Sequence, residues 1–170
     1  GIFNNLTLNK ILNSVSKKSF KVADSQVASR WGNISDFKNF DLLTPTEREA
    51  RYSLFEQDLP LRGLIVDLVK KTNANNVILK LGEKGLISMS RNKNDYIALD
   101  PFVDNLVDSN GAGDALLAYS ALSLYKTKSL IISSIIGIFA ASCKCELHGN
   151  LPVTINQLVN KINTIEKKYQ

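Results

Sequence analysis

The sequence predicts an α/β fold built on a mostly parallel sheet. Strand-like and helix-like stretches alternate over the first half of the chain, an antiparallel excursion follows, and the pattern is almost entirely helical from residue 111 onward. Alternation of this kind is typical of helices packed on a sheet, because each helix forms the crossover between two parallel strands. In such sheets ligands bind beyond the carboxyl ends of the strands. The turns that follow predicted strands are therefore the expected place for a functional site.

Hydrophobic period and turn signals place the elements along the chain. Residues 76–81 (NVILKL) form the best strand, since their β-branched and apolar side chains suit the interior of a parallel sheet. The turn at 92–95 separates two strand-like segments and predicts a hairpin or meander. In chain order we predict a helix over 6–17, strands over 20–24 and 40–43, helices over 46–55 and 61–71, strands over 76–81, 86–90 and 96–99, and helices over 111–125, 128–146 and 154–168.

Composition indicates an ordinary soluble globular protein. The 170 residues are 44% hydrophobic and 22% charged, and they suffice for one domain, or part of one, with a sizeable core. The net charge of +5 is mild and spread along the chain, without a basic block interleaved with aromatic residues. This charge suits attraction of an anionic nucleotide and gives no case for nucleic-acid binding.

Two segments that could suggest special sites have simpler interpretations. The apolar run 130–143 is interrupted by polar and glycine residues and is shorter than the ~20 residues that span a bilayer, so it predicts a buried helix and no membrane partner. Cys143 and Cys145, with the single histidine His148, are too few for a tetrahedral zinc site, and we expect two reduced thiols in a cytoplasmic protein. The start resembles no signal peptide and has no Met, which indicates a trimmed chain.

Residues 108–114 (DSNGAGD) run directly into an apolar helical segment and are the most informative stretch of the chain. Glycines let backbone approach a ligand closely, and the amides of Gly111, Ala112 and Gly113 are expected at a helix N-terminus, where unpaired N–H groups and partial positive charge suit a phosphate. Asp114 is expected to stay ionised in the first helical turn. Phosphoryl transfer to a hydroxyl needs this pair, because the carboxylate takes the proton while the amides hold the charge on the phosphate.

The same stretch also allows a purely structural interpretation. A side chain from 108–110 would then cap the helix, Asp114 would be an ordinary first-turn acid, and the glycines would only form a tight turn. Glycine-bearing turns are common, so the choice between the two interpretations depends on other parts of the chain.

The chain resembles the C-terminal half of the ribokinase-like (PfkB-type) sugar kinases, whose second signature reads D-T-x-G-A-G-D. Residues 108–114 match that signature with Ser109 in place of threonine, which keeps the hydroxyl. The resemblance implies a three-layer α/β/α sandwich, of which residues 1–170 form a single partial domain. It implies that Asp114 is the catalytic base and that the amides of residues 111–113 form the anion hole, with Asn110 at the nucleotide.

Two further turns are similar to elements of the same family. Residues 80–85 (KLGEKG) resemble the glycine turn beside the nucleotide. Residues 45–49 (PTERE) resemble the P-N-x-x-E element near Mg²⁺ and the phosphates, where Glu49 matches the acid. Thr46 stands in place of asparagine and loses the amide, which leaves the contact made there open. The nucleotide-binding residues implied by the resemblance are Lys80, Gly82, Gly85, Asn110 and, at the adenine pocket, Ala140, Cys143 and Gly149.

The resemblance implies an ATP-dependent phosphotransferase that acts on an alcohol group of a sugar or sugar phosphate, with Mg²⁺ as the metal. It leaves open the identity of the sugar and whether a monovalent cation assists the anion hole. Residues 41–45 (DLLTP) look most like the heptose-phosphate kinase branch. The family's first signature and its sugar-recognising strands are absent. We therefore expect the isolated chain to be inactive, with an unpaired sheet edge suited to self-association as a homodimer.

The alternative function is a non-catalytic nucleotide-binding or regulatory module that keeps this fold. Thr46 and the missing sugar half motivate it. A dinucleotide-dependent oxidoreductase is disfavoured, because no G-x-G-x-x-G follows an early strand.

Overall fold

The computed structural model describes residues 5–25, 34–93 and 96–168. Within these ranges every predicted helix and strand is present, with ends that differ by a few residues. The helices are α1 (Asn5–Ser14), α2 (Glu47–Leu54), α3 (Leu61–Thr72), α4 (Ala112–Thr127), α5 (Leu130–Cys145) and α6 (Ile155–Lys168). The strands are β1 (Val22–Ala23), β2 (Leu42–Leu43), β3 (Asn76–Lys80), β4 (Leu86–Ser90) and β5 (Tyr96–Leu99), and single 3-10 turns cover Ile34–Asp36 and Gly82–Lys84.

The five described strands form one sheet in the order β1-β2-β3-β4-β5. The pairs β1–β2 and β2–β3 are parallel, and Leu43 is the register partner of both Ala23 and Val77. The connections at 81–85 and 91–95 are too short for the crossover that a parallel pair needs, so β4 runs opposite to its two neighbours. All strands except β4 therefore run in one direction, which agrees with the predicted mostly parallel sheet.

The first two strands are shorter than predicted because other groups take up the hydrogen bonds around them. The Lys21 N–H donates to Asp41 Oδ2 at 2.7 Å instead of to a neighbouring strand. Both strands are followed by polar residues at their carboxyl ends, namely Asp24 and Thr44.

The predicted turn at 92–95 lies partly outside the described residues.

The chain divides into two compact units, one of residues 1–81 and 87–97 and the other of residues 82–86 and 98–170. In the first unit, α3 covers the sheet with an apolar face that includes Leu64, Ile65 and Leu68, all fully buried. These side chains join the same core as Val77 and Leu79 of β3. Spacings of three and four residues place them on one side of the helix, as the sequence pattern predicted.

The second unit is built on a close crossing of α4 and α5. A Cβ on Gly137 would lie 1.9 Å from the Ser120 Oγ and 3.3 Å from the Leu116 carbonyl oxygen, so the absence of a side chain at Gly137 lets the two helices pack closely. Ser120 and Ser133 each donate a hydroxyl hydrogen bond to the other's carbonyl oxygen, at 3.1 and 2.7 Å. Because these contacts fix the middle of α4 against α5, they also fix the position of the α4 N-terminus within the unit. None of the described helices is both long and apolar enough to cross a membrane.

A charged cluster also stabilises the second unit. The Lys161 ammonium, which is largely buried, donates to Asp104 Oδ2 at 2.7 Å and to Glu146 Oε1 at 2.6 Å. The Asp104 N–H donates to the same Glu146 oxygen at 2.8 Å, and Lys168 holds the other Asp104 oxygen at 2.7 Å. The cluster thereby ties the segment before α4 to the C-terminal end of α5 and to α6.

We expect this cluster to make the fold acid-sensitive. Hydrogen bonds from Lys161 and then from Lys168 lower the pKa of Asp104 from 3.8 to about 2. The carboxylate therefore stabilises the folded state fully above its unfolded pKa, and that contribution is lost as the pH falls through the lower folded pKa. Urea unfolding at several pH values between about 5 and 2 is expected to show this loss in the natural sequence and to show less of it in Asp104→Asn. Asp67→Asn, at an exposed pair with Lys70, is the control, and equal pH dependence of the two variants would contradict the assignment.

Candidate active site

The N-terminus of α4 is open, in contrast to a helix end capped by its own side chains. Its N-cap residue is Gly111, with φ 79° and ψ 2°, and no side chain of the described residues accepts a hydrogen bond there. The Ala112 N–H donates to the Ser109 carbonyl at 3.2 Å. The N–H groups of Gly113 and Asp114 have no acceptor among the described residues. These amides are the orphan donors of a helix start, where the helix dipole adds partial positive charge.

Three backbone N–H groups hold the turn in front of α4 in place. The Asp108 carboxylate accepts the Asn110 N–H at 2.9 Å, so it shapes the turn and does not cap the helix. The N–H groups of Val107 and Asp108 both donate to the Cys145 carbonyl at the end of α5, at 2.8 and 3.0 Å. Asn110, predicted to contact a nucleotide, is exposed at the tip of this turn.

Asp114 lies in the first turn of α4 and is exposed, while residues 111–113 are half-buried. No hydrogen bond or ion pair from another described residue engages its carboxylate. The first turn of α4 therefore carries free amide donors and an exposed carboxylate side by side.

The segment after α5 lies against this turn. Gly149 is exposed with φ 67°, and its carbonyl accepts a hydrogen bond from the Lys144 Nζ at 2.7 Å. A Cβ on Gly111 would lie 3.2 Å from the Lys144 Cε and 3.8 Å from the Asn150 Oδ1. Residues 144–150 therefore form one side of the surface around the α4 N-terminus. The resemblance assigned Gly149 to an adenine pocket, and Lys144 was overlooked.

Ala140 and Cys143, the other residues predicted to line an adenine pocket, are buried in the second unit. Ala140 is fully inaccessible and packs with Phe139 and Leu158. The Cys143 thiol donates to the Gln157 carbonyl at 3.7 Å, and burial raises the pKa of this thiol. Their positions make them part of the wall that α5 and α6 form together.

The two glycines of the 80–85 turn have different reasons for being glycine. Gly82 has φ 64° and is exposed, and a Cβ there would meet nothing within 4 Å. Gly85 has φ 79° and is buried, and a Cβ there would lie 2.0 Å from the Leu99 carbonyl oxygen. Gly85 is therefore required by the approach of this turn to the end of β5. Gly82 presents bare backbone at the surface, which suits the predicted approach to a ligand.

In the first unit, Thr46 and Glu49 form a capping box at the start of α2. The Thr46 N–H donates to Glu49 Oε2 at 2.7 Å, and the Glu49 N–H donates to Thr46 Oγ1 at 3.2 Å. Glu49 is 7% exposed. The P-T-x-x-E element thus has a structural task in this chain, since reciprocal bonds of this kind satisfy two of the free donors of a helix start.

The carboxyl ends of the parallel strands also carry an ion pair that the sequence reasoning missed. The Lys80 Nζ at the end of β3 lies 2.5 Å from the Asp24 Oδ2 directly after β1. Burial raises the pKa of Asp24, against the opposing effect of Lys80, and the nearby Glu49 carboxylate raises it further. An acid that directly follows a predicted parallel strand was the available signal.

These residues fit a magnesium ion bound together with phosphates. Mg²⁺ in phosphate-transfer sites takes one or two carboxylates and otherwise water and phosphate oxygens. Asp24 and Glu49 are two carboxylates close enough to affect each other electrostatically. No cluster of three or more His, Cys, Asp or Glu side chains able to hold a metal occurs in the described part of the chain. A site built by the protein alone is therefore not formed there, whereas one completed by phosphate oxygens is chemically suitable.

Comparison with solved structures identifies the fold. Ribokinase from Thermotoga maritima is similar with a TM-score of 0.77 at 22% identity, over 92% of this chain and 52% of that one. Phosphofructokinase-2 from Escherichia coli, solved with substrates and products, has a TM-score of 0.81 at 19% identity, over 96% and 53%. Ribokinase from Arabidopsis thaliana, complexed with ribose and ATP, has a TM-score of 0.71 at 20% identity, over 83% and 46%. These similarities show the ribokinase-like fold, and the chain spans about half the length of each relative.

Comparison of sequences identifies the family. A search among curated proteins gives no significant match. The profile of the pfkB family carbohydrate kinases matches residues 4–154, which is most of the sequence and includes the turn at the start of α4. The chain therefore belongs to the pfkB family of carbohydrate kinases.

Proposed function

We propose that this chain is the nucleotide-binding half of a carbohydrate kinase, which transfers the γ-phosphoryl group of ATP to an alcohol group of a sugar or sugar phosphate. The uncapped N-terminus of α4, with Asp114 in its first turn, is the observation that supports this most directly. Free amides at a helix start bind phosphate oxygens, and an exposed carboxylate beside them accepts a proton. Membership of the family supports the same reaction class.

Each group of the α4 turn has a defined task in this reaction. Asp114 accepts the proton of the acceptor hydroxyl as the acceptor oxygen forms its bond to the γ-phosphorus. The bond between that phosphorus and the ADP oxygen breaks, and ADP leaves with the electron pair. The amides of residues 111–113 hold the charge that the transferred group carries during this exchange, which is where preorganised donors accelerate a reaction most.

The remaining predicted residues serve the nucleotide and its metal. Glu49, together with Asp24, would hold Mg²⁺ through carboxylate oxygens, and the ion would neutralise phosphate charge. The positive charge of Lys80, which is paired with Asp24, partly offsets the negative charge of these two carboxylates. Gly82 and Gly149 offer exposed backbone for the nucleotide, and the buried Ala140 and Cys143 support the wall behind it.

The acceptor is a sugar or a sugar phosphate. Related structures contain ribose in the Arabidopsis ribokinase and fructose-6-phosphate in the Escherichia coli phosphofructokinase-2. The similarity of residues 41–45 to the heptose-phosphate kinase branch makes heptose phosphates the first substrates to test. Purified complete protein, MgATP and a panel of pentoses, hexoses and their phosphates, with ADP release as readout, provide the assay.

The alternative, a nucleotide-binding module without catalysis, is favoured by one observation. Thr46 replaces the asparagine of the family element, and its hydroxyl is committed to the Glu49 cap. Calorimetry with MgATP and the transfer assay separate the two functions. Binding with turnover on any sugar supports the kinase, binding without turnover supports the module, and absence of nucleotide binding contradicts both.

Glu49→Gln is expected to distinguish the contribution of this carboxylate to Mg²⁺ binding from its contribution to the capping box of α2. Glutamine also completes a capping box, so the free energy of unfolding should change by less than about 1 kcal/mol. The lost charge should weaken binding of MgATP about tenfold or more while leaving metal-free ATP binding nearly unchanged. Calorimetry with and without EDTA measures both affinities. Glu47→Gln, at the neighbouring half-buried ion pair with Arg51, is the control, and equal losses of MgATP affinity in the two variants would remove Glu49 from the metal site.

A further inference from the structure

Lys144 is a buried lysine next to the open end of α4. The residue is 3% exposed, although it belongs to a type that is almost never fully buried without a partner. Its ammonium donates to the Gly149 carbonyl oxygen at 2.7 Å, and its Cε lies 3.2 Å from the position of a Cβ on Gly111. Within the described residues it forms no salt bridge. The structure therefore places the Lys144 ammonium on a carbonyl oxygen, beside the turn that carries the free amides.

Two helix ends of opposite polarity act on this charge, because Lys144 lies in the last turn of α5, where a cation is stabilised, and its side chain reaches the N-terminus of α4. The N-terminus of a helix is itself positive, so a cation beside it is repelled. The acidic groups nearby are Asp108 and Glu146, which raise the pKa of the Cys145 thiol, whereas Lys144 lowers it. Glu146 is already bound to Lys161, and Asp108 accepts the Asn110 N–H. An anionic ligand at the α4 turn would compensate for both the dipole and the ammonium.

We propose that the Lys144 ammonium is a built-in monovalent cation of the phosphate site, so that nucleotide binding here requires no free potassium or sodium ion. This inference rests on the proposed nucleotide site at the α4 turn. A free monovalent ion that assists an anion hole has to bind carbonyl oxygens at its side and carry one positive charge. The Lys144 ammonium supplies such a charge and is bound to the Gly149 carbonyl oxygen. The same side chain connects the 146–150 segment to the turn at Gly111.

Binding of MgATP, measured by calorimetry in two buffers of equal ionic strength, tests the inference. One buffer contains potassium chloride, and the other contains tetramethylammonium chloride, whose cation is too large for a carbonyl site. The natural sequence is expected to have the same Kd in both. Lys144→Gln keeps a donor for the Gly149 carbonyl but removes the charge, and we expect its Kd in tetramethylammonium to be about 10- to 100-fold higher.

Potassium should restore part of the affinity of Lys144→Gln, since the ion can supply the missing charge. Lys144→Ala makes more room for such an ion, and we expect the melting temperature of this variant, without nucleotide, to be higher in potassium than in tetramethylammonium. Lys126→Met, at an exposed lysine in the last turn of α4, is the matched control and should behave like the natural sequence. A melting curve of each variant verifies that it is folded.

The possible failures point to different errors. If the natural sequence binds MgATP more tightly in potassium, or if Lys144→Gln binds as tightly as the natural sequence in tetramethylammonium, Lys144 does not act as the cation. If the natural sequence binds no nucleotide in either buffer, the nucleotide site itself is wrong.

Discussion

Replacing Asp114 with asparagine is expected to lower the kcat of the complete kinase by two to four orders of magnitude, on the order of 10²- to 10⁴-fold. Asparagine has nearly the shape of aspartate but cannot accept the proton of the acceptor hydroxyl. The free amides of α4 remain, so the affinity for MgATP should change little. Steady-state kinetics with the sugar acceptor and calorimetry with MgATP measure these two quantities separately.

Asp67→Asn is the matched control for this experiment. Asp67 is a half-exposed acid on α3 that forms an ion pair with Lys70 at 3.7 Å. Its replacement removes one negative charge from the molecule without touching the α4 turn, so kcat should stay within about twofold. If Asp114→Asn retains near-normal turnover, Asp114 is not the base, and the structural interpretation of the α4 turn becomes the better one.

Gly85→Ala is expected to have the largest effect on stability, and Gly82→Ala is its natural comparison. Both glycines have positive φ, and an alanine at either site costs about 1–2 kcal/mol for this conformation alone. At Gly85 the new Cβ would also lie 2.0 Å from the Leu99 carbonyl oxygen, which is backbone and cannot rotate away. Overpacking of this kind adds about 1–3 kcal/mol. The total loss of stability at Gly85 should therefore be about 2–5 kcal/mol.

Urea unfolding of the two variants under one set of conditions measures the difference. At Gly82 no atom lies within 4 Å of the added Cβ, so only the conformational cost applies. Gly82→Ala should instead weaken MgATP binding, because it places a methyl group on backbone that we expect to face the nucleotide. Equal losses of stability at the two positions would show that the Leu99 carbonyl at the end of β5 can move away from a Cβ at little cost. The close approach at Gly85 would then be unimportant for stability.

Much of this protein could be predicted from short stretches of its sequence. The hydrophobic period of 61–71 and the β-branched run of 76–81 correspond to α3 and β3, because side-chain spacing within one element decides which face is buried. The turn at 108–114 lies at the start of α4 as expected, since glycine and first-turn acid preferences act over a few residues. The same kind of local signal predicts the capping box of Thr46 and Glu49, although the resemblance to the P-N-x-x-E element drew attention to the metal instead.

The tertiary structure decided which residues face one another. Lys80 is paired with Asp24, and Lys144 lies against Gly111, across separations that no hydrophobic period reveals. The reason that Gly85 must be glycine is the carbonyl of Leu99, which only the pairing of the strands brings close. The sequence alone thus determined the elements and the position of the glycine turn at the start of α4, because these depend on neighbours along the chain. The partners of its charges and the burial of Lys144 depend on which distant elements pack together, and only the folded chain determines that.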